Sequence, residues 1–496
     1  MSSPAPGTAG LPPLTRWLVL AVAAIGFLFD TYELLMFPVI GAQALSELLK
    51  VPPTDDAVRL WSGRMLWIAA LAGGVFGLLG GVLVDRLGRK TVMIGSILVY
   101  SLSPLAAAYS TELWQLVLFR CTTFIGVCVE LVAAVTWLAE LFQDKRQREL
   151  AIGWTLACAS LGGILVTEVF REIGGFVREH PEGVSWLPVP VAAWRYTLLT
   201  GLVPGALILL LMPFVPESRV WKERKLAGTL KRPRFGELFS PALRKTTIVT
   251  TLLSACGYAA AFGALQLTPL QMTPGLPAIE QVKRDAPEKV KAAAAKVKGT
   301  KEGTDERKGA EKELTEAKDS VRHAIDAKRA DIQRWQELGG LTGRILFAIL
   351  LVYVASRVLI RIFLLPGVVL FPVAYLALYG GEYPIFATAI FFCGLVTVAQ
   401  FSYVSEYLPR VFPVHLRGTG SAFATNVGGR MLGTMAATLN TELLSPLFSG
   451  ENPQRVATAA AIIGGTVYAV ALVLSFLLPV PKEEAPPPAP NAPPAA

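Results

Sequence analysis

Apolar runs of about 18 or more residues recur along this chain, separated by short polar breaks. A helix needs about 20 apolar residues to cross about 30 Å of hydrocarbon. Lipid offers no partner to backbone amides and carbonyls, so each run predicts a spanning helix rather than an open strand. The first set of runs lies near residues 14–41, 64–84, 91–109, 113–141, 149–173 and 194–215. After a basic stretch from Pro216 to Lys245, the second set lies near 246–268, 339–356, 362–379, 384–408, 418–444 and 456–478. The pattern predicts an all-α integral membrane protein of twelve transmembrane helices in two six-helix bundles, residues 14–216 and 246–478, joined by a linker at 217–245. Residues 1–13 form an N-terminal tail, and 479–496, rich in Pro and Ala without periodicity, read as a disordered one.

One stretch breaks the pattern. Between the seventh and eighth runs, residues 273–338 are dense in Lys, Glu, Ala and Asp. Ile279, Val282, Ala286, Val290, Ala293 and Val297 recur at helical spacing, as do Leu314, Ala317, Val321, Ala324, Ile325, Ile332 and Trp335. Two amphipathic helices folded back as a hairpin are expected, inserted in the second bundle.

Composition agrees with a membrane protein: 53% of residues are hydrophobic and 17% charged. The net charge of +9 does not mark a nucleic-acid surface, because Lys and Arg cluster in alternate short loops. Arg86, Arg89 and Lys90; Lys145, Arg146 and Arg148; the stretch Arg219 to Lys245; Arg357 and Arg361; and Arg410 and Arg417 mark one face as cytoplasmic. Both termini then lie in the cytoplasm, the insertion lies outside, and the protein sits in the plasma (inner) membrane. The first apolar run is too long for a signal-peptide core and has no small-residue cleavage site, so it is expected to stay. Cys121, Cys128, Cys158, Cys256 and Cys393 lie inside apolar runs without metal-ligand spacing and read as small core residues. No phosphate-cradling loop, nucleophile–base constellation or metal spacing appears, so no enzyme, cofactor or metal is expected.

Gly80 to Lys90 closes the second run with a glycine-rich segment and a tight basic turn. Glycine lets helices approach closely and turn sharply, while Asp85 and the basic residues can exchange ion-pair partners at a membrane face. The string Gly81-Val82-Leu83-Val84-Asp85-Arg86-Leu87-Gly88-Arg89-Lys90 resembles the loop between the second and third helices of the major facilitator superfamily. Pro216-Glu217-Ser218-Arg219 resembles a signature of its sugar-porter and metabolite–proton symporter branches. Trp194-Arg195-Tyr196, Arg120 with Gly126, and Leu416-Arg417-Gly418-Thr419-Gly420 point the same way. The resemblance implies a secondary transporter of alternating access, with Gly81, Asp85, Arg86, Gly88, Arg89 and Lys90 in a cytoplasmic gate. The equivalent second-half loop, Ser356 to Arg361, lacks the Asp and Gly, and Pro479-Val480-Pro481-Lys482 stands where sugar porters carry Pro-Glu-Thr. A weak echo of Leu138 to Phe142 at Tyr407 to Phe412 fits a duplicated six-helix unit.

Charges inside the bilayer cost several kcal/mol, so each marks a candidate function. Asp30 and Glu33 stand one turn apart in the first run, within a motif resembling the acid-bearing first helix of proton-coupled organic-acid symporters. A carboxyl in a low-dielectric site, beside another, suits proton binding and release. Arg120 lies at a depth comparable to Glu33 and is expected to contact Glu33 or Asp30, or alternatively a substrate carboxylate. Glu130 is expected to face the cavity, nearer the centre. Arg430, with Asn426, is a second anion anchor or an interhelical tie. Gln266, Gln400 and Tyr403 are candidate hydrogen-bonding residues.

The expected function is proton-coupled symport of a small organic solute, an organic acid or other metabolite rather than a sugar. The expected partners are that solute, protons and the lipid bilayer, with no nucleic acid. An efflux antiporter of the same fold is one alternative. A non-transporting receptor or scaffold using an extracytoplasmic partner of residues 278–335 is another.

Overall fold

The computed structural model describes residues 12–142, 145–184, 188–227, 235–300, 305–351, 353–413 and 416–479. Nearly all of the expected N-terminal tail, the tail from residue 480, and the side chains of Asp85 and Tyr403 lie outside the described residues. No strand occurs among the described residues.

The first half supplies α1 (Pro13–Leu49), α2 (Asp56–Leu87), α3 (Arg89–Ala108), α4 (Leu113–Leu141), α5 (Lys145–Glu179) and α6 (Ala193–Phe214). The second half begins with α7 (Arg244–Ala260), continued by wide π turns at Ala261–Leu265 and Thr268–Met272. Then come α8 (Pro277–Gly299), α9 (Asp305–Leu350), α10 (Ser356–Pro372) and α11 (Tyr383–Glu406). α12 (Arg417–Phe423) runs on through π turns at Ala424–Gly433 and Leu439–Leu444, and α13 (Asn452–Ser475) closes the fold. Among the described residues, nine helical stretches are long and apolar enough to cross a membrane, with α5, α9 and α12 packed among them. The chain is a multi-pass membrane protein.

The junction of α2 and α3 is very short. A single residue, Gly88, separates the helices, at φ 102°, where a side chain would be strained. A Cβ there would also lie 2.6 Å from Glu217 Oε2. That carboxylate accepts the Lys90 N–H at 3.0 Å, and the Arg89 guanidinium pairs with Glu140 at 2.9 Å. Two motifs far apart in sequence, the glycine-rich loop and Pro216-Glu217-Ser218, therefore meet at one end of the first half. Gly81 has no heavy atom within 4 Å of where a Cβ would stand, and Arg86 is exposed. In the second half Arg357 and Arg361 donate instead to carbonyls at the end of α13, Leu478 at 3.4 Å and Ser475 at 3.2 Å. A helix C-terminus carries partial negative charge, so these cations are satisfied without a matching acid.

Small residues let the second half close on itself. A Cβ on Gly428 would fall 2.1 Å from the Thr251 carbonyl oxygen, so α12 and α7 touch backbone to backbone.

The inserted segment is helical but is not separate from the bundle. α8 and α9 pack together, with Lys296 and Glu313 paired at 2.7 Å. α9 is one uninterrupted helix of 46 residues, about 69 Å long at 1.5 Å per residue. The boundary drawn at Leu338 thus falls in mid-helix, and the insertion's second helix and the run at 339–356 are one element. Gly339 and Gly340 do not break it because they are packing surfaces: a Cβ on Gly339 would lie 1.9 Å from the Phe391 carbonyl oxygen of α11.

At the end opposite Gly88, polar contacts join the halves. Arg64 pairs with Glu442 at 2.5 Å, Gln271 donates to Ser62 at 2.8 Å, and Asn452 donates to the Thr54 carbonyl at 2.8 Å. Gln43 of α1 donates to Asp326 of α9, and Arg334 of α9 lies 3.3 Å from Glu168 of α5.

Candidate functional site

Where the halves face each other, the helices enclose a central cavity of about 240 Å³. Its walls are mostly apolar and aromatic, with Phe27, Phe124, Tyr258, Phe262 and Phe401 among them. Its charged and amide groups come from both halves: Asp30 from the first, Gln266, Gln336, Glu337, Arg344 and Arg430 from the second. The volume is below the range usual for drug-sized ligands, which suits a solute of one small ring.

Asp30 is buried, and its carboxyl neighbours that of Glu130 on α4. Gly26 makes the room, since a Cβ there would lie 2.7 Å from Glu130 Oε1. Glu130 itself is fully buried behind Asp30 rather than on the cavity wall.

Glu33 takes another course. Positions three apart on a helix differ by about 60°, and this turns Glu33 away from the cavity. Its carboxyl lies against Gly201 of α6, where a Cβ would stand 2.5 Å from Oε1. Neither of its oxygens has a hydrogen-bond partner among the described residues.

The expected contact of Arg120 with Glu33 is made, but through the backbone of α1 and not through the carboxylate. Arg120 donates to two backbone carbonyls, those of Glu33 and Leu34, each at 2.7 Å. The cause is Pro38 inside α1. The Leu34 carbonyl would normally accept from residue 38, and proline has no N–H to give. Arg120 fills that vacancy, with its guanidinium over the rings of Phe124 at 4.8 Å and Phe37 at 5.6 Å. Replacing Arg120 by Ala should leave a buried carbonyl unpaired, at a cost of about 1–3 kcal/mol. Thermal unfolding of the detergent-solubilised variant should show the loss. An unchanged unfolding temperature with weakened solute binding would instead make Arg120 a solute ligand.

Arg430 lies on the cavity wall and donates to Asn426 Oδ1 at 2.6 Å, one turn away on the same helix. Asn426 also donates to the Ala422 carbonyl at 2.9 Å, which holds it as a brace for the guanidinium. The Asp30 carboxylate is close enough for its charge to act on Arg430. Gln266 is on the wall, its Oε1 without a partner among the described residues. Gln400 is buried beside the wall, reaching towards Tyr468.

Two cavity residues lie outside the sequence-based candidates: Glu337, which falls within the expected outer insertion, and Arg344, although it is the single charge in the run at 339–356. A signal existed. They stand seven residues apart, two turns on one face, in a stretch where Gly339, Gly340 and Gly343 mark close helix contact.

A family model described as Major Facilitator Superfamily matches residues 16–285. Over 171 residues the chain is 35% identical to the 4-hydroxybenzoate transporter PcaK of Pseudomonas putida, covering 33% of each protein. Over 206 residues it is 30% identical to the 3-(3-hydroxy-phenyl)propionate transporter of Escherichia coli, covering 40% of this chain and 45% of that one. It is 28% identical over 203 residues to the niacin transporter NiaP of Acinetobacter baylyi, covering 41% of each. The chain thus spans a third to under a half of the length of these relatives. Among solved structures, the xylose transporter XylE of E. coli in its inward open conformation superposes with a TM-score of 0.64 at 17% identity, covering 94% of this chain and 97% of that one. That likeness shows the fold, and with the family match over more than half its length, the chain belongs to the Major Facilitator Superfamily.

Proposed function

We propose that this protein is a proton-coupled symporter that carries a small aromatic carboxylate across the membrane by alternating access. The observation that carries the reading is the cavity: one buried acid pair, Asp30 and Glu130, faces the cation Arg430 across a small chamber walled by aromatic rings. An arene fits the walls, and a guanidinium is the side chain suited to a carboxylate. Relatives named for 4-hydroxybenzoate, niacin and 3-(3-hydroxy-phenyl)propionate transport support this solute class.

Coupling follows from electrostatics. While Asp30 is ionised, its charge competes with a solute anion for Arg430. Once a proton neutralises the acid pair, Arg430 is left for the solute carboxylate, so proton and anion load together. The gate is the Gly88 end, with Arg89 and Lys90 held by Glu140 and Glu217, and that end faces the cytoplasm with both termini. The contacts of Gln43, Arg64 and Arg334 then close the outer side, and the two halves rock about the cavity.

The purified protein in liposomes, with acid outside, should accumulate labelled benzoate-type acids above equilibrium, and a protonophore should abolish the gradient. Accumulation of a pentose or an organic cation in place of aromatic acids would overturn the assignment.

A further inference from the structure

Glu337 is a buried carboxyl in the cavity that the mechanism above does not use. It belongs to the second half, whereas Asp30 and Glu130 belong to the first. One of its oxygens, Oε1, accepts from Gln333 at 2.8 Å and Gln336 at 3.2 Å on its own helix. The other lies against Gly163 of α5, where a Cβ would stand only 2.5 Å away. The carboxyl is therefore clamped between the two halves, at the surface that must part when they rock.

The neighbours of Glu337 are few. Arg344 lies two turns on along α9, and its charge acts on both Glu337 and Tyr258 of α7. α5 presents Ser160 and Gly163, α1 presents Asp30, and α12 presents Arg430 across the cavity. α11 meets this turn through Gly394, packed on the Gln336 carbonyl.

α9 also links this carboxyl to the outer end. The same continuous helix carries Asp326 and Arg334, whose contacts with Gln43 and Glu168 tie it to the first half. Opening the outer side must break those contacts, and a rigid helix that leaves α1 and α5 there lifts Glu337 off Gly163.

We propose that Glu337 is a second proton-carrying group, so that each solute anion crosses with two protons rather than one. The proton is taken up on the carboxylate from the outer water and released to the cytoplasmic water, and no bond to the solute forms. The inference rests on the symport reading, and its signature is electrical. A monoanion with one proton moves no net charge, whereas with two it moves one positive charge inward.

The test is solute accumulation by the full chain in liposomes, with pH gradient and potassium diffusion potential set independently. For the wild type, log accumulation should rise with a slope of two against the pH difference, and an inside-negative potential alone should drive uptake. Glu337→Gln should lower the slope to one and remove the response to potential. Glu337→Asp should keep both. A wild-type slope of one overturns the inference whatever the variants do, as does a Glu337→Gln protein that keeps a slope of two. If Glu337→Gln gives no net uptake, retained exchange of labelled for unlabelled solute supports the role, and a folded protein without exchange overturns it. Wild-type uptake indifferent to pH would sink the symport reading itself.

Discussion

Asp30→Asn is expected to abolish proton-driven accumulation while leaving solute exchange intact. Asn keeps the size and polarity of the side chain but can neither take up nor release a proton. The permanently neutral side chain also ceases to compete for Arg430, so the solute site is held in its loaded electrostatic state. Net uptake driven by a pH gradient should fall by roughly 100-fold or more, the scale seen when a positioned proton-transfer group is removed. Exchange needs no proton release, because the carrier returns loaded, and it should proceed near the wild-type rate. Glu130→Gln should weaken coupling less, since Glu130 touches the cavity only through Asp30. If Asp30→Asn accumulates solute as the wild type does, the acid pair is structural and the coupling group lies elsewhere.

The helices were legible because lipid imposes a simple rule: a run of apolar residues has one stable backbone conformation there. The family was legible in Gly81 to Lys90 because that turn needs several residue types at once. Gly88 occupies a left-handed position that other residues resist, and Arg89 meets an acid that sequence reading also singled out as part of an echoed segment, Glu140. What could not be read is which face of each helix meets which neighbour. Asp30 and Glu33 stand one turn apart, yet one meets the cavity and the other meets α6. Arg120 meets Glu33 through a backbone carbonyl and not the carboxylate, since the defect left by Pro38 was the stronger claim on its donors. Glu337 was lost for a different reason. The amphipathic pattern of the insertion runs into the apolar run at Leu338 without a cap, and there a change in composition reads as a change of element. A helix that passes from water into the bilayer alters its composition while its backbone continues.

Arg430→Ala should cost the protein its carboxylate solute. Hydrogen bonds to a charged group contribute about 1.5–3 kcal/mol, so apparent affinity for an aromatic acid should fall by roughly 10- to 150-fold. Arg430→Lys should recover part of the loss, since an ammonium restores the charge but not the planar two-pronged donor. The corresponding neutral amide separates an anchor from a tie. It presents the same ring without the negative charge, and its weak binding should be nearly the same in wild type and Arg430→Ala. Arg430 also holds Asn426 on its own helix, and a purely structural role would act through that contact. In that case both solutes should lose affinity together and the unfolding temperature should drop, whereas loss confined to the acid places the guanidinium on the solute carboxylate.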